Sequence, residues 1–273
     1  MQLKRYFSAV FAALLFTGAS FANAASLLDL TWNPVGAGIS TQGPFTFDNV
    51  LINTYANIDV SSGGTAFSEQ GFARFTVFSD NGLPTAIPTA GFPAGTPYSL
   101  YISFTATGTQ SAGIPSTGSF TSLNYTLLGA AGVTTFADSN SDGIFEVTGG
   151  PTVTLASGSL LAPGSTSLTL GAGGLLPAAQ IFTSFIPNPA FAAFFVSPGA
   201  LQALDLTAAF TNTGTVITQF PLGNGDFRLS LNGGGGNATF AVSAIPEPDT
   251  YGMLLAGLGL FGFIARRRRQ QAA

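Results

Sequence analysis

Between Tyr98 and Thr107 the chain reads Tyr-Ser-Leu-Tyr-Ile-Ser-Phe-Thr-Ala-Thr. Leu100, Ile102 and Phe104 fall on one side of an extended strand, Tyr101, Ser103 and Thr105 on the other. Because successive side chains in a strand point to opposite faces, one face turns inward and the other meets water. Comparable runs rich in Val, Ile, Thr, Phe and Tyr, bounded by Gly, Pro, Asn or Ser, lie at 45–60, 71–78, 120–128, 144–148 and 153–160. Others follow at 167–170, 192–196, 204–211, 227–231 and 238–243. This pattern predicts an all-β domain, a β-sandwich or jelly-roll-like fold. Asn81-Gly82 supplies a tight turn, and the proline-rich stretches 83–97 and 187–198 read as long loops. Residues 175–185 suggest one short helix, and the tetraglycine at 233–236 a hairpin loop between the last two strands.

The two ends break this pattern. Residues 1–24 form a signal helix: Lys4 and Arg5 precede an apolar stretch at 7–16, and Ala22-Asn23-Ala24 offers a small-x-small cleavage site. Cleavage between Ala24 and Ala25 leaves a β-rich ectodomain over 25–245. The segment 246–273 begins Pro246-Glu247-Pro248, continues through an uncharged apolar run at 251–265, and ends with Arg266, Arg267, Arg268 and Arg269 before Gln-Gln-Ala-Ala. Fifteen helical residues span about 22 Å, against roughly 30 Å for a bilayer core, so this is a short transmembrane helix. The arginines hold its C-terminal side in the cytoplasm and leave the ectodomain outside.

Pro-Glu-Pro, a short apolar helix and an arginine cluster in this order resemble the PEP-CTERM sorting signal of Gram-negative bacteria. The resemblance implies transient anchoring in the inner membrane and cleavage near the motif by an exosortase. The cell surface or extracellular matrix is the implied destination.

Composition narrows what the ectodomain does. It carries ten acids but only two basic residues, Arg74 and Arg228, for a net charge of −8. Nucleic acid and anionic membrane surfaces, which are bound by neutralising phosphate, are therefore not expected partners. Cysteine and histidine are absent, which removes disulfides, Ser-His-Asp and Cys-His arrangements and the usual zinc ligand sets. The surface should be uncharged and rich in hydroxyls, suited to polysaccharide or to copies of the same chain.

One stretch carries cation chemistry. Asp138, Asn140 and Asp142 stand at positions 1, 3 and 5 of a calcium-loop pattern, with Gly143 at 6 and Glu146 at 9. Position 12 is Gly149 where a bidentate glutamate is usual, so a weak Ca²⁺ site and a plain polar turn both fit. Asp48, Asp59, Glu69, Asp80 and Asp205 are scattered, and a secreted glycosidase would need two of them facing each other. Trp32 and Tyr98 are candidates for stacking on a sugar ring.

Several ectodomain segments together resemble flocculation-associated PEP-CTERM proteins. They are Tyr98-Ser-Leu-Tyr-Ile-Ser-Phe, the acidic loop at 138–142, Leu155-Ala-Ser-Gly-Ser-Leu-Leu, Phe194-Phe-Val-Ser-Pro198 and the closing stretch 226–240. The resemblance implies a non-enzymatic matrix protein that promotes cell aggregation together with exopolysaccharide, with no catalytic residues and no certain cofactor. A carbohydrate-binding module is the alternative, and the glycosidase a more distant one.

Overall fold

The computed structural model describes residues 28–113, 115–171, 174–198, 204–211 and 216–242. In chain order the strands are β1 (Leu30–Trp32), β2 (Phe45–Phe47), β3 (Asn49–Val60), β4 (Ala66–Asp80), β5 (Leu83–Ala86), β6 (Tyr98–Gln110) and β7 (Ser116–Ala131). There follow β8 (Thr135–Ala137), β9 (Glu146–Thr148), β10 (Thr152–Gly171), β11 (Gly174–Pro187), β12 (Phe195–Ser197), β13 (Leu204–Thr211), β14 (Val216–Gly223) and β15 (Asp226–Val242). The fold is all-β, as the alternation predicts.

The long strands form a ring. Each of β3, β4, β6, β7, β10, β11, β13 and β15 pairs antiparallel with the next, and β15 pairs back onto β3. Neighbours in the ring follow one another along the chain, so the sheet is a meander closed into a barrel-like form. Along β15, Gly235 faces Thr211 of β13 and Asn232 faces Val216 of β14, so β13 and β14 lie end to end beside it.

The ring has two unlike ends. At one, short connections join β3 to β4, β6 to β7, β10 to β11 and β14 to β15. At the other, long connections run from β4 to β6, from β7 to β10 and from β11 to β13, and they carry β5, β8, β9, β12 and short 3₁₀ turns. The small sheet β12-β1-β2 belongs to this second end and places Trp32 among Phe47, Phe75, Phe78, Phe185, Phe194 and Phe240. Ring centroids stand 4.8 Å from Phe47 and 5.2 Å from Phe194, and Trp32 is fully buried. This aromatic plug closes one mouth of the barrel.

Three expectations change at this level. The tetraglycine is not a hairpin loop but lies inside β15, which runs unbroken through 227–231 and 238–242. Gly233 is the extra residue of a β-bulge, with φ 81°, where the pairing to β3 shifts between Asn232 and Gly234. A Cβ on Gly236 would lie 2.7 Å from the Ala209 carbonyl, so only glycine lets β13 come this close. Residues 175–185 belong to strand β11 and not to a helix: Ile181, Thr183 and Phe185 turn inward, while exposed Phe182 and Ile186 on the outer face mask the alternation. Finally, 153–160 and 167–170 are parts of one strand, because Pro163 and Gly164 sit where the register of β10 shifts.

Candidate functional site

The acidic loop joins β8 to β9 on the outer wall. Phe136 of β8 packs on the outward-facing Tyr55, Phe72 and Tyr101, with ring centroids 5.0, 5.2 and 5.2 Å away. These three come from adjacent strands and form a satellite cluster outside the barrel. Arg228, outward on β15, fastens the loop. It donates to both carboxylate oxygens of Asp59, at 2.6 Å from Nε and 2.8 Å from Nη2, and Nη1 donates to the Asp142 carbonyl at 3.1 Å. The hydrogen bond to Asp59 raises the Arg228 pKa although burial opposes it.

Within the loop the oxygens turn onto the loop's own backbone. Asp138 accepts from the N–H groups of Asp142 (3.0 Å) and Gly143 (2.9 Å), and Asn140 accepts from Asp142 at 3.2 Å. Asp142 accepts from Ile144 at 2.8 Å, and Glu146 accepts from Ser139 at 2.9 Å. Ser141 and Gly143 take positive φ values of 60° and 82°, which tightens the bend. All four sequence-designated residues thus share the loop, but Asp138, Asp142 and Glu146 do not gather three carboxylates around one point. Among the described residues, the acids that do so are Asp29, Asp48 and Asp80, whose oxygens lie within 4.8 Å of one another. No spacing motif links these three; the turn at Asn81-Gly82 brings Asp80 beside Asp48, which accepts from the Asn81 N–H at 3.1 Å.

As arranged, the loop is a tight polar turn whose side-chain oxygens accept from its own backbone. Asp138→Ala leaves the Gly143 N–H without its acceptor, while the Asp142 N–H keeps the one from Asn140, and should cost about 1 kcal/mol in urea unfolding, equally with calcium and with a chelator. A calcium-dependent rise in Tm of the unaltered protein, abolished by Asp138→Ala with Asp142→Ala, would instead assign the metal to this loop.

Inside the barrel lies a chamber of about 110 Å³ that sequence reasoning did not foresee. Its walls are apolar, with Ile52, Phe67, Phe104, Leu123 and Ile181 among them, and it extends to Gln110, Thr166 and Ser167 at the hairpin end. Glu69 points into it, on the inward face of β4 between Ile58 of β3 and Ala106 of β6. The residue is partly buried and its side chain lines the chamber. Burial raises its pKa from 4.5 to about 7. Deeper in the wall, Thr54 is buried and its Oγ1 has no hydrogen-bond partner. Among the described residues Glu69 is the only carboxyl lining the chamber, and none of them forms with it the facing pair that glycoside hydrolysis requires.

Trp32 and Tyr98 are not sugar platforms: both are fully buried, Trp32 in the plug and Tyr98 on the inward face of β6. The exposed polarity lies elsewhere. Ser103, Thr126 and Ser157 form one cross-strand row on the outer wall, and Thr105, Asn124 and Ser159 form the next. Thr107 hydrogen-bonds Ser122 at 2.7 Å and Thr121 at 3.1 Å above them.

The residues that decide the chain's fate follow β15. Val242 pairs with Leu204 at the plug end, and from 244 to 269 the chain matches the family model for the PEP-CTERM protein-sorting motif. It carries an exosortase sorting signal. This PEP-CTERM protein is accordingly exported, anchored in the membrane before processing, and processed by an exosortase. No curated protein and no solved structure matches it. Among the described residues no helix is long and apolar enough to cross a membrane. The cleavage site at Ala24 and Ala25, the motif Pro246-Glu247-Pro248, the helix expected at 251–265 and the arginines Arg266 to Arg269 all lie outside the described residues.

Proposed function

We propose that the sorted ectodomain is a non-enzymatic protein of the Gram-negative cell surface or extracellular matrix that promotes cell aggregation, as floc or biofilm, together with exopolysaccharide. One observation carries this reading. The consecutive strands β6, β7, β10 and β11 contain no charged residue, and the outer face of β6, β7 and β10 presents a grid of hydroxyl and amide groups: Thr105, Thr107, Ser122, Asn124, Ser157 and Ser159 are all exposed. A neutral grid of donors and acceptors suits a hydroxylated polymer, and it offers no charge to repel the same face of another copy. The reading agrees with the likeness to flocculation-associated PEP-CTERM proteins.

A carbohydrate-binding module is the second reading, favoured by the groove that opens where β10 bulges, between Ser119–Asn124 and Ser159–Pro163. The experiment is deletion of the gene, with complementation by the intact gene and by one encoding Thr105→Lys, Asn124→Lys and Ser159→Lys. The deletion should abolish aggregation and the lysine variant should fail to restore it, although it reaches the surface. Normal aggregation in the deletion strain would refute the matrix role. If aggregation persists while purified protein still binds a defined glycan, the module reading takes its place.

A further inference from the structure

The aggregation reading uses only the outside of the barrel and leaves the chamber unexplained. Apolar interiors normally close up, and a carboxyl placed in one without a partner destabilises the fold unless something meets it. Here the space is about 110 Å³, the same order as an engineered cavity of about 150 Å³ that holds benzene. Aromatic walls from Phe67, Phe75, Phe104 and Phe120 surround it, and among the described residues no basic side chain lines it. Glu69 sits three residues inside the hairpin end of β4, roughly 10 Å from that mouth. Thr54 faces Ala73, four residues further along β4 and roughly 13 Å deeper. The Trp32 aromatics pack at the opposite end, and the polar lining residues Gln110, Thr166 and Ser167 lie at the hairpin end.

We infer that the chamber binds a small amine with an apolar body of about benzene size, its cationic head on Glu69 and its body directed toward the plug. The unpartnered carboxyl, the apolar walls and the want of any cation in the lining select this chemistry. An anionic head would meet a like charge. An alcohol would satisfy one oxygen but leave the charge unpaired. Among apolar walls an ion pair is stronger than in bulk water, so the head group rather than the body dominates the selection.

Among the described residues no other charged group lines the chamber. Ile58 and Ala106 flank Glu69 across the sheet, and the inward residues of β15 nearby are Leu229 and Leu231. Tyr125 is the other titratable side chain of the lining; its hydroxyl donates to the Ser184 carbonyl at 2.6 Å, and burial pushes its pKa upward, out of the neutral range. Asp59 and Arg228 face the outer surface. Amine binding therefore follows the ionisation of Glu69 alone.

The test uses the exported protein as cells release it, titrated calorimetrically with benzylamine, benzyl alcohol and benzoate. Benzylamine should bind at least about tenfold more tightly than benzyl alcohol at about pH 8, and benzoate should not bind. Benzylamine affinity should fall roughly 100-fold by about pH 5, because the amine stays protonated while Glu69 takes up its proton. Glu69→Gln should abolish the preference for amine over alcohol and keep benzyl alcohol binding, which shows that the chamber is intact. Binding of benzoate, benzylamine affinity unchanged in Glu69→Gln, or no binding by any of the three would overturn the assignment.

Discussion

Glu69→Gln is expected to stabilise the protein by up to about 3 kcal/mol at pH 8 and to leave it unchanged near pH 4. Burial raises the pKa of this carboxyl from 4.5 to about 7. Below 4.5 the group is protonated whether the chain is folded or not, so its ionisation contributes nothing. As pH rises from 4.5 to 7 the unfolded chain releases the proton while the folded chain retains it, and stability falls. Above 7 both states are ionised and the loss is constant. Glutamine keeps the shape and has no proton to lose, so the difference between variant and unaltered protein isolates this one group from the other acids. Urea unfolding at the two pH values measures it, and the same difference at both would mean that Glu69 does not titrate inside the barrel. Benzylamine should narrow the gap at pH 8, since an ion pair relieves the burial of the charge.

The second large effect concerns the tail. Proline resists helix and biases its predecessor away from it, so Pro246-Glu247-Pro248 favours an extended backbone of the kind a protease cleft grips. Glu247→Ala should leave export intact but hold the precursor in the membrane, and loss of the exosortase should do the same. In both cases protein recovered from the matrix should fall to near zero while the membrane fraction gains it. Matrix protein unchanged by either change would mean that release does not depend on this motif.

Where the chemistry is local, the structure could be read from the sequence. The alternation over Leu100, Ile102 and Phe104 depends only on strand geometry, and these residues do face the interior. The turn at Asn81-Gly82 has the positive φ values of 50° and 79° that these residues favour. The residues of the acidic loop also stay together, because their hydrogen bonds reach only a few positions along the chain. What the sequence hid depends on partners far away. Four glycines in a row look like a loop, yet β3 and β13 supply a hydrogen-bonded ladder on both sides of them. Phe182 and Ile186 face outward and cancel the period-two signal of β11. Arg228 meets Asp59 across 169 residues of chain. Glu69 looks like one more scattered acid until closure of the ring turns it inward, and Trp32 looks like a sugar platform until aromatic rings from β2, β4, β11, β15 and the β11–β13 connection surround it. The terminal sorting signal, by contrast, needs no fold to be legible: its order of motif, apolar run and arginines is itself the message.

The most direct measurement of the central claim is mass spectrometry of the protein recovered from the cell surface and matrix. An exosortase-sorted matrix protein predicts chains that end near Pro246-Glu247-Pro248 and lack Arg266 to Arg269. Intact chains ending at Ala273 as the dominant species would contradict it and make the tail a permanent anchor.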